Sequence, residues 1–175
     1  MLIERLQRGF TLIELLITIV VVAVLAALAF PSFQAVLANA QIRTAAQALH
    51  DGLQLARVEA IRRNERVVFT KDADSGWTVS VNSGGGVIQT RSSSEGAKSA
   101  TVTVNPSTAT KVTFDALGRV VANTDASASI GQLDIDVPTT VLSAAQSKEL
   151  RVTITPGGAI RLCDPNAPAG NGRAC

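Results

Sequence analysis

Apolar residues change their spacing along this chain, and the changes predict how it is organised. Residues 10–33 form an almost unbroken apolar run. Its clearly polar positions are Thr11, Glu14, Thr18 and Ser32. An α-helix needs about 20 consecutive apolar residues to cross a bilayer. The run therefore predicts a membrane-spanning helix that begins close to the N-terminus.

Beyond this run, apolar residues recur in steps of three and four. The stripe consists of Ile42, Ala46, Leu49, Leu53, Ala56 and Ala60. Such spacing predicts an amphipathic helix with one apolar face. We therefore expect one helix over residues 10–64, kinked at Pro31. A coiled coil would require the stripe to continue without a following domain, and the segments that come next argue against it.

From Arg66 onward the pattern changes to short extended segments. Strands are predicted at residues 67–69, 77–81, 87–90, 100–104, 111–114, 119–121, 133–137, 150–154 and 159–162. Glycine-rich residues 82–86 and the Pro-Gly-Gly of 155–158 predict hairpin turns, and polar residues 92–99 predict a mobile loop. We expect an α+β fold in which one or two antiparallel sheets pack against the second half of the helix.

Charges around the apolar run predict its orientation. Arg5 and Arg8 precede it, and Arg43 is the first basic residue beyond it. The positive-inside rule then leaves the N-terminus in the cytoplasm and the rest of the chain outside. A small residue, Gly9, precedes the apolar run, whereas a secretory signal carries its cleavage site after it. Cleavage there would leave the apolar helix on the mature protein.

The sequence RGFTLIE at residues 8–14 resembles the type III leader motif of type IV pilins and type II secretion pseudopilins. In that family a membrane peptidase cuts after the glycine and N-methylates the new first residue. The resemblance implies cleavage between Gly9 and Phe10 and N-methylation of Phe10. Pro31 also matches the family pattern. A plain signal anchor is the alternative interpretation.

Three later segments are similar to the GspH/FimT group of minor pilins and pseudopilins: residues 55–64, 114–119 and 158–163. This narrower resemblance implies the type IV pilin fold and a structural role rather than an enzymatic one. The predicted organisation is a cleaved leader at 1–9, a transmembrane half-helix at 10–33, an amphipathic half-helix at 34–65 and a periplasmic β-rich head at 66–175.

Glu14 is the one acid inside the apolar run. A carboxylate within a membrane is unfavourable by roughly 2.5 kcal/mol or more, so it marks a candidate functional position. The free amine of Phe10 on a neighbouring subunit would supply a cation for it. Such pairing would fix the axial stagger between helices in a filament. In a monomer, Glu14 would instead be protonated or reach toward the membrane surface.

Composition excludes several other functions. The 16 Lys and Arg nearly balance the 14 Asp and Glu, which is not the charge distribution of a nucleic-acid-binding domain. No catalytic motif or phosphate-binding loop is present, and we expect neither a cofactor nor a metal. His50, the single histidine, lacks an evident acid or cysteine partner and is expected to be structural. Trp77 is expected in the core or at its rim.

Charged residues near the predicted helix end, among them Arg57, Glu59 and Arg63, have two interpretations. They would form either a partner surface or, as we favour, a solvated helix end in which Glu59 and Arg63 pair at i,i+4.

Cys163 and Cys175 are the only cysteines. The predicted topology places them in the periplasm, where disulfides persist. Many pilins resemble this chain in closing a C-terminal loop with a disulfide, and we predict that bridge here. It favours the pilus branch of the family over the secretion branch.

These features predict a minor pilin that primes or caps a type IV pilus. Its implied partners are the prepilin peptidase, other pilins or pseudopilins and an inner-membrane assembly platform. One alternative is a GspH-type subunit of the type II secretion pseudopilus. Another is DNA reception during transformation, for which Arg161 and Arg173 partly match the Gly-Arg-x-Arg motif of some FimT-type pilins.

Overall fold

The computed structural model describes residues 10–175, apart from the side chain of Pro31. Helix α1 runs over Leu12–Arg63, 52 residues, and confirms the helix predicted for residues 10–64. Thr11 caps its start, and Asn64 ends it in the left-handed conformation at φ 55°. Leader residues 1–9, including Gly9, lie outside the described residues. The kink at Pro31 stays a prediction.

The strands lie where the alternating pattern predicted them, with boundaries shifted by at most two residues. They are β1 (Val67–Lys71), β2 (Trp77–Val81), β3 (Val87–Arg91), β4 (Thr101–Asn105), β5 (Lys111–Phe114), β6 (Val120–Val121), β7 (Gln132–Asp136), β8 (Leu150–Ile154) and β9 (Ile160–Cys163).

The strands form two antiparallel sheets. One sheet has the order β3-β2-β1-β5-β6, and the other has the order β4-β7-β8-β9. Residues 82–86 connect the β2–β3 hairpin and residues 155–158 connect β8 to β9, as predicted. Residues 92–99 lie in the connection between the two sheets, and their mobility stays a prediction.

The second half of α1 supplies the centre of the core. Its predicted apolar stripe is buried along its whole length and contacts residues of both sheets. Alanine is frequent on this face, at Ala38, Ala45, Ala46, Ala56 and Ala60. Small side chains allow the strands to approach the helix closely, so that the larger strand residues fill the remaining space.

Trp77 is a core residue, as expected, and lies over the helix at Gly52. Its ring centroid is 6.0 Å from that of Phe69. A Cβ atom at Gly52 would come within 2.6 Å of the indole ring. The absence of a side chain at this helical position therefore allows the ring to pack directly against the backbone.

Three elements contact one another near the end of α1: the helix itself, the β5–β6 turn and the β8–β9 turn. The Arg57 guanidinium donates from Nε to the carbonyl of Gly118 at 3.1 Å. Gly158 has φ +81°, and a Cβ there would lie 1.8 Å from the Gly118 carbonyl oxygen. Arg57 is therefore a link between elements, rather than the solvated charge that its sequence context indicated.

Candidate assembly surface and C-terminal groove

The first half of α1 is an apolar surface without cover in the described chain. Its large aliphatic side chains from Leu12 to Leu37 are exposed on all sides of the helix. This is the one helix of the described residues that is long and apolar enough to cross a membrane, by length and composition. Contiguous exposed apolar surface of this extent requires a membrane or a partner to cover it.

Glu14 lies in the first turn of this surface, three residues after the cap. Its backbone N–H donates to the Thr11 hydroxyl at 3.2 Å. The cap thus uses the main chain of Glu14 and leaves its carboxylate available. Within residues 10–175 the Glu14 side chain makes no ion pair or hydrogen bond. A negative charge in the first turn also complements the positive end of the helix dipole.

The charges at the opposite end of α1 largely satisfy one another. Glu59 accepts hydrogen bonds from Arg62 at 2.9 Å and 2.7 Å and from Arg63 at 2.7 Å. These two guanidiniums lower the pKa of Glu59 to about 2. The predicted Glu59–Arg63 pair is confirmed. This part of the helix end therefore has the features of a solvated, internally paired terminus.

A disulfide joins Cys163 at the end of β9 to Cys175, as predicted. The loop that it closes is further held by the Asp164 N–H, which donates to the Arg173 carbonyl at 2.7 Å. The Arg161 guanidinium donates to the Ala174 carbonyl, also at 2.7 Å. The C-terminal residues are thus fixed along the edge of β9.

A groove of about 810 Å³ lies between α1 and this C-terminal loop. We call it the C-terminal groove. Its helix side is formed by Ala35, Val36, Asn39, Ala40, Arg43 and Gln47. Its other side is formed by Lys148, Leu150, Leu162, Cys163, Asp164, Gly172 and Arg173. Sequence reasoning missed this groove because it joins segments more than 100 positions apart, with no shared motif.

The two arginines proposed to contact DNA have different surroundings. Arg161 holds the C-terminal loop through Ala174, whereas Arg173 lines the C-terminal groove. Both are exposed. Their contribution to DNA binding stays a prediction.

His50 has an acidic neighbour, contrary to expectation. Its Nδ1 lies 3.3 Å from an Asp51 carboxylate oxygen. The pair could not be predicted from the sequence, because the side chains of consecutive helical residues usually point away from each other. Across residues 10–175 no three His, Cys, Asp or Glu side chains are grouped so that they could hold a metal ion.

Comparison with solved structures defines the class of fold. The chain is similar to the type IV minor pilin FimU of Pseudomonas aeruginosa strain PAO1, with a TM-score of 0.52 and 20% sequence identity. The alignment covers 73% of this chain and 92% of that one. A second crystal form of the same protein gives the same score over 97% of its length. The fold is thus that of the type IV pilins.

Sequence comparison identifies the family. Residues 45–170 match the family described as type II transport protein GspH, and residues 5–30 match the prokaryotic N-terminal methylation motif. The chain belongs to the GspH family, as the GspH/FimT resemblance predicted, and it carries the methylation motif at its N-terminus.

Curated relatives match over a shorter segment. A fimbrial protein of Moraxella nonliquefaciens is 45% identical over 60 residues, which are 34% of this chain and 38% of that protein. The type IV major pilin PilE1 of Neisseria gonorrhoeae is 55% identical over 42 residues, 24% of this chain and 26% of that protein. The chain thus matches less than half the length of each.

Proposed function

We propose that this chain is a minor pilin that primes or caps a type IV pilus. Residues 10–33 anchor it in the inner membrane, and the head lies in the periplasm until the subunit is extracted into the filament. The observation that carries the proposal is the uncovered first half of α1. It is apolar on every side and extends from a head that already has its own core. Lipid covers this surface first, and neighbouring helices cover it in the filament.

The N-terminus of the mature chain is the second element of the proposal. The peptidase cuts between Gly9 and Phe10, removes residues 1–9 and methylates Phe10. The Glu14 carboxylate then pairs with the Phe10 amine of an adjacent subunit. In a medium of low dielectric this pairing favours the one axial stagger that brings the two charges together. An assembly platform and other pilins are the partners of this step.

Deletion of the gene tests the pilus assignment. We expect sheared surface pili, measured through the major pilin, to fall strongly in an in-frame deletion strain and to return with the wild-type gene. Undiminished pili in the deletion strain would refute the priming role.

A substitution at Glu14 tests the pairing separately. Glu14→Gln keeps the backbone N–H that bonds to Thr11 and removes only the charge. We expect normal membrane levels but about tenfold less of the variant in purified filaments, equivalent to about 1.4 kcal/mol. Glu65→Gln removes an exposed acid beyond the helix end and serves as the matched control. Equal incorporation of both variants would contradict the pairing.

A second candidate function is a subunit of the type II secretion pseudopilus. The family match favours it, because that family is described as type II transport protein GspH. Both candidate functions use the same packing of apolar helices in a filament. They differ in whether the subunit belongs to a pilus or to a secretion system. Normal pili combined with loss of secreted enzymes in the deletion strain would favour the secretion system.

A further inference from the structure

We propose that the C-terminal groove binds the headgroup of an anionic phospholipid of the membrane in which α1 stands. This inference rests on the membrane placement given under "Proposed function".

The charge of the groove favours an anion. Three basic side chains line it, Arg43, Lys148 and Arg173, against one acid, Asp164. All three bases are exposed. Within residues 10–175 none of them forms an ion pair or donates a side-chain hydrogen bond. The groove therefore carries a net positive charge whose hydrogen-bond donors are available to a phosphate.

The walls of the groove are held in place by long-range contacts. The Asn39 side chain donates to the Gln146 carbonyl at 3.0 Å and accepts from the Lys148 N–H at 2.8 Å. These two bonds position Lys148 beside the helix. The disulfide and the Asp164–Arg173 backbone bond position Arg173 on the same side of the groove as Lys148, facing the helix side that carries Arg43. Three separate segments are thus held around one cleft before any ligand arrives, which lowers the entropic cost of binding.

The membrane end of the groove lies at the headgroup layer. Residues 10–33 span about 36 Å as a helix, slightly more than the hydrocarbon core of a bilayer, which is about 30 Å. Ala35 and Val36 follow directly and form the start of the groove. Arg43 lies about two turns further along, and helical side chains lean back toward the N-terminus. Its Cα–Cβ bond therefore tilts toward the membrane side.

The apolar lining distinguishes a lipid from DNA. Val36, Leu150 and Leu162 line the same cleft as the cations. Val36 is 68% exposed and continues the apolar surface of the first half of α1. A phospholipid can place its phosphate among the cations and its glycerol and first acyl carbons against these side chains. A DNA backbone would use the charges and leave the apolar part uncovered.

Lipid occupancy of the full-length chain tests the proposal. The protein is held in a nonionic detergent with equal amounts of dioleoyl phosphatidylglycerol and dioleoyl phosphatidylcholine, and bound lipids are identified by native mass spectrometry. We expect the wild type to retain phosphatidylglycerol preferentially. The double variant Arg43→Gln, Lys148→Gln should lose roughly 10- to 30-fold in phosphatidylglycerol affinity, as expected for two basic residues at a membrane surface.

A charge-matched variant serves as the control. Arg66→Gln, Lys98→Gln removes two exposed bases outside the groove that make no ion pair in the described part of the chain. It should stay within about twofold of the wild type. Equal retention of the two lipids, an unchanged affinity in the groove variant, or the same loss in the control would each overturn the proposal.

Competition experiments test whether the groove binds something other than a phospholipid. Displacement of the lipid by equimolar inorganic phosphate, or binding of a 30-base-pair duplex without any lipid preference, would overturn the lipid assignment. So would a dimer that forms without lipid and is lost in the groove variant. Flotation of the chain with vesicles measures the membrane placement separately. If the isolated protein prefers phosphatidylglycerol but the deletion strain makes normal pili, the priming role is refuted. The proposal that the groove binds a lipid is not.

Discussion

The two halves of α1 are one continuous helix, but they are built for different surroundings. Residues 12–37 carry large aliphatic side chains on every side, and these remain exposed. From Ala38 to Ala60 most apolar residues keep to one face, many of them are alanines, and that face is buried under two sheets. An all-round apolar helix needs cover on all sides, whereas a striped helix needs only one partner. The first half therefore depends on molecules outside the chain, and the second depends on the chain itself.

Matched leucine truncations provide the strongest test of this comparison. Leu53 is fully buried, whereas Leu25 in the first half is 62% exposed. We expect Leu53→Ala to lower the free energy of unfolding of the head by about 2–5 kcal/mol, because it leaves a cavity. Leu25→Ala should change it by about 0.5 kcal/mol or less. Urea unfolding of the full-length chain in detergent, followed by Trp77 fluorescence, measures both, and similar losses would contradict the division.

Removal of the disulfide tests how far the head depends on a covalent link as well as on the striped half of α1. The loop has a sequence separation of 12 residues. In the chain-entropy model, Cys163→Ala with Cys175→Ala should cost about 3 kcal/mol. The same urea titration measures the loss, and addition of a reductant to the wild type should reproduce it. An unchanged unfolding midpoint would show that the C-terminal loop is held by its hydrogen bonds.

Gly52→Ala sharpens the comparison within the buried half. The added methyl would meet the Trp77 ring at 2.6 Å and the Phe69 ring at 3.0 Å, and both rings are buried. Overpacking should exceed the gain in helix propensity and cost about 1–2 kcal/mol. Gly172→Ala is the control, because its Cβ would have no neighbour within 4 Å. A more stable Gly52→Ala variant would mean that the sheet can move away from the helix.

The smallest expected effect concerns the ion cluster at the end of α1. The pKa of Glu59 is lowered to about 2 by hydrogen bonds from Arg62 and Arg63. A lowered folded-state pKa stabilises the fold above about pH 4.5, and this contribution is lost as the pH falls toward 2. Because Arg62 is largely exposed, we expect about 1 kcal/mol or less.

Glu59→Gln should flatten the stability curve between pH 2 and pH 4.5. Identical curves for the wild type and Glu59→Gln would show that this cluster does not contribute to stability. Thermal unfolding at a series of pH values measures the effect.

Local sequence patterns were sufficient to predict the secondary-structure elements of this protein. The period of apolar residues predicted the helix to within two residues of each end and the position of each strand. The RGFTLIE motif and the later GspH-like segments predicted the family, which the sequence comparisons confirmed. Each of these signals lies within a short stretch of chain, where side-chain alternation and turn residues constrain the backbone directly.

Contacts between distant segments could not be predicted in the same way. Arg57 looked like an ordinary surface charge in the sequence, because its hydrogen-bond partner is the backbone carbonyl of Gly118, 61 positions away. The contacts of Asn39 with Gln146 and Lys148, which shape the C-terminal groove, span more than 100 positions. A backbone partner leaves no signature in the side chains that flank it.

The sequence by itself thus determined the long helix, its division into an all-round apolar half and a striped half, and the family. Those properties depend on neighbours along the chain. Only the tertiary structure decided that the strands divide into two sheets, and that the C-terminal loop and the helix enclose a basic groove. Strand order and groove shape depend on which distant surfaces fit together, and that fit is a property of packing in three dimensions.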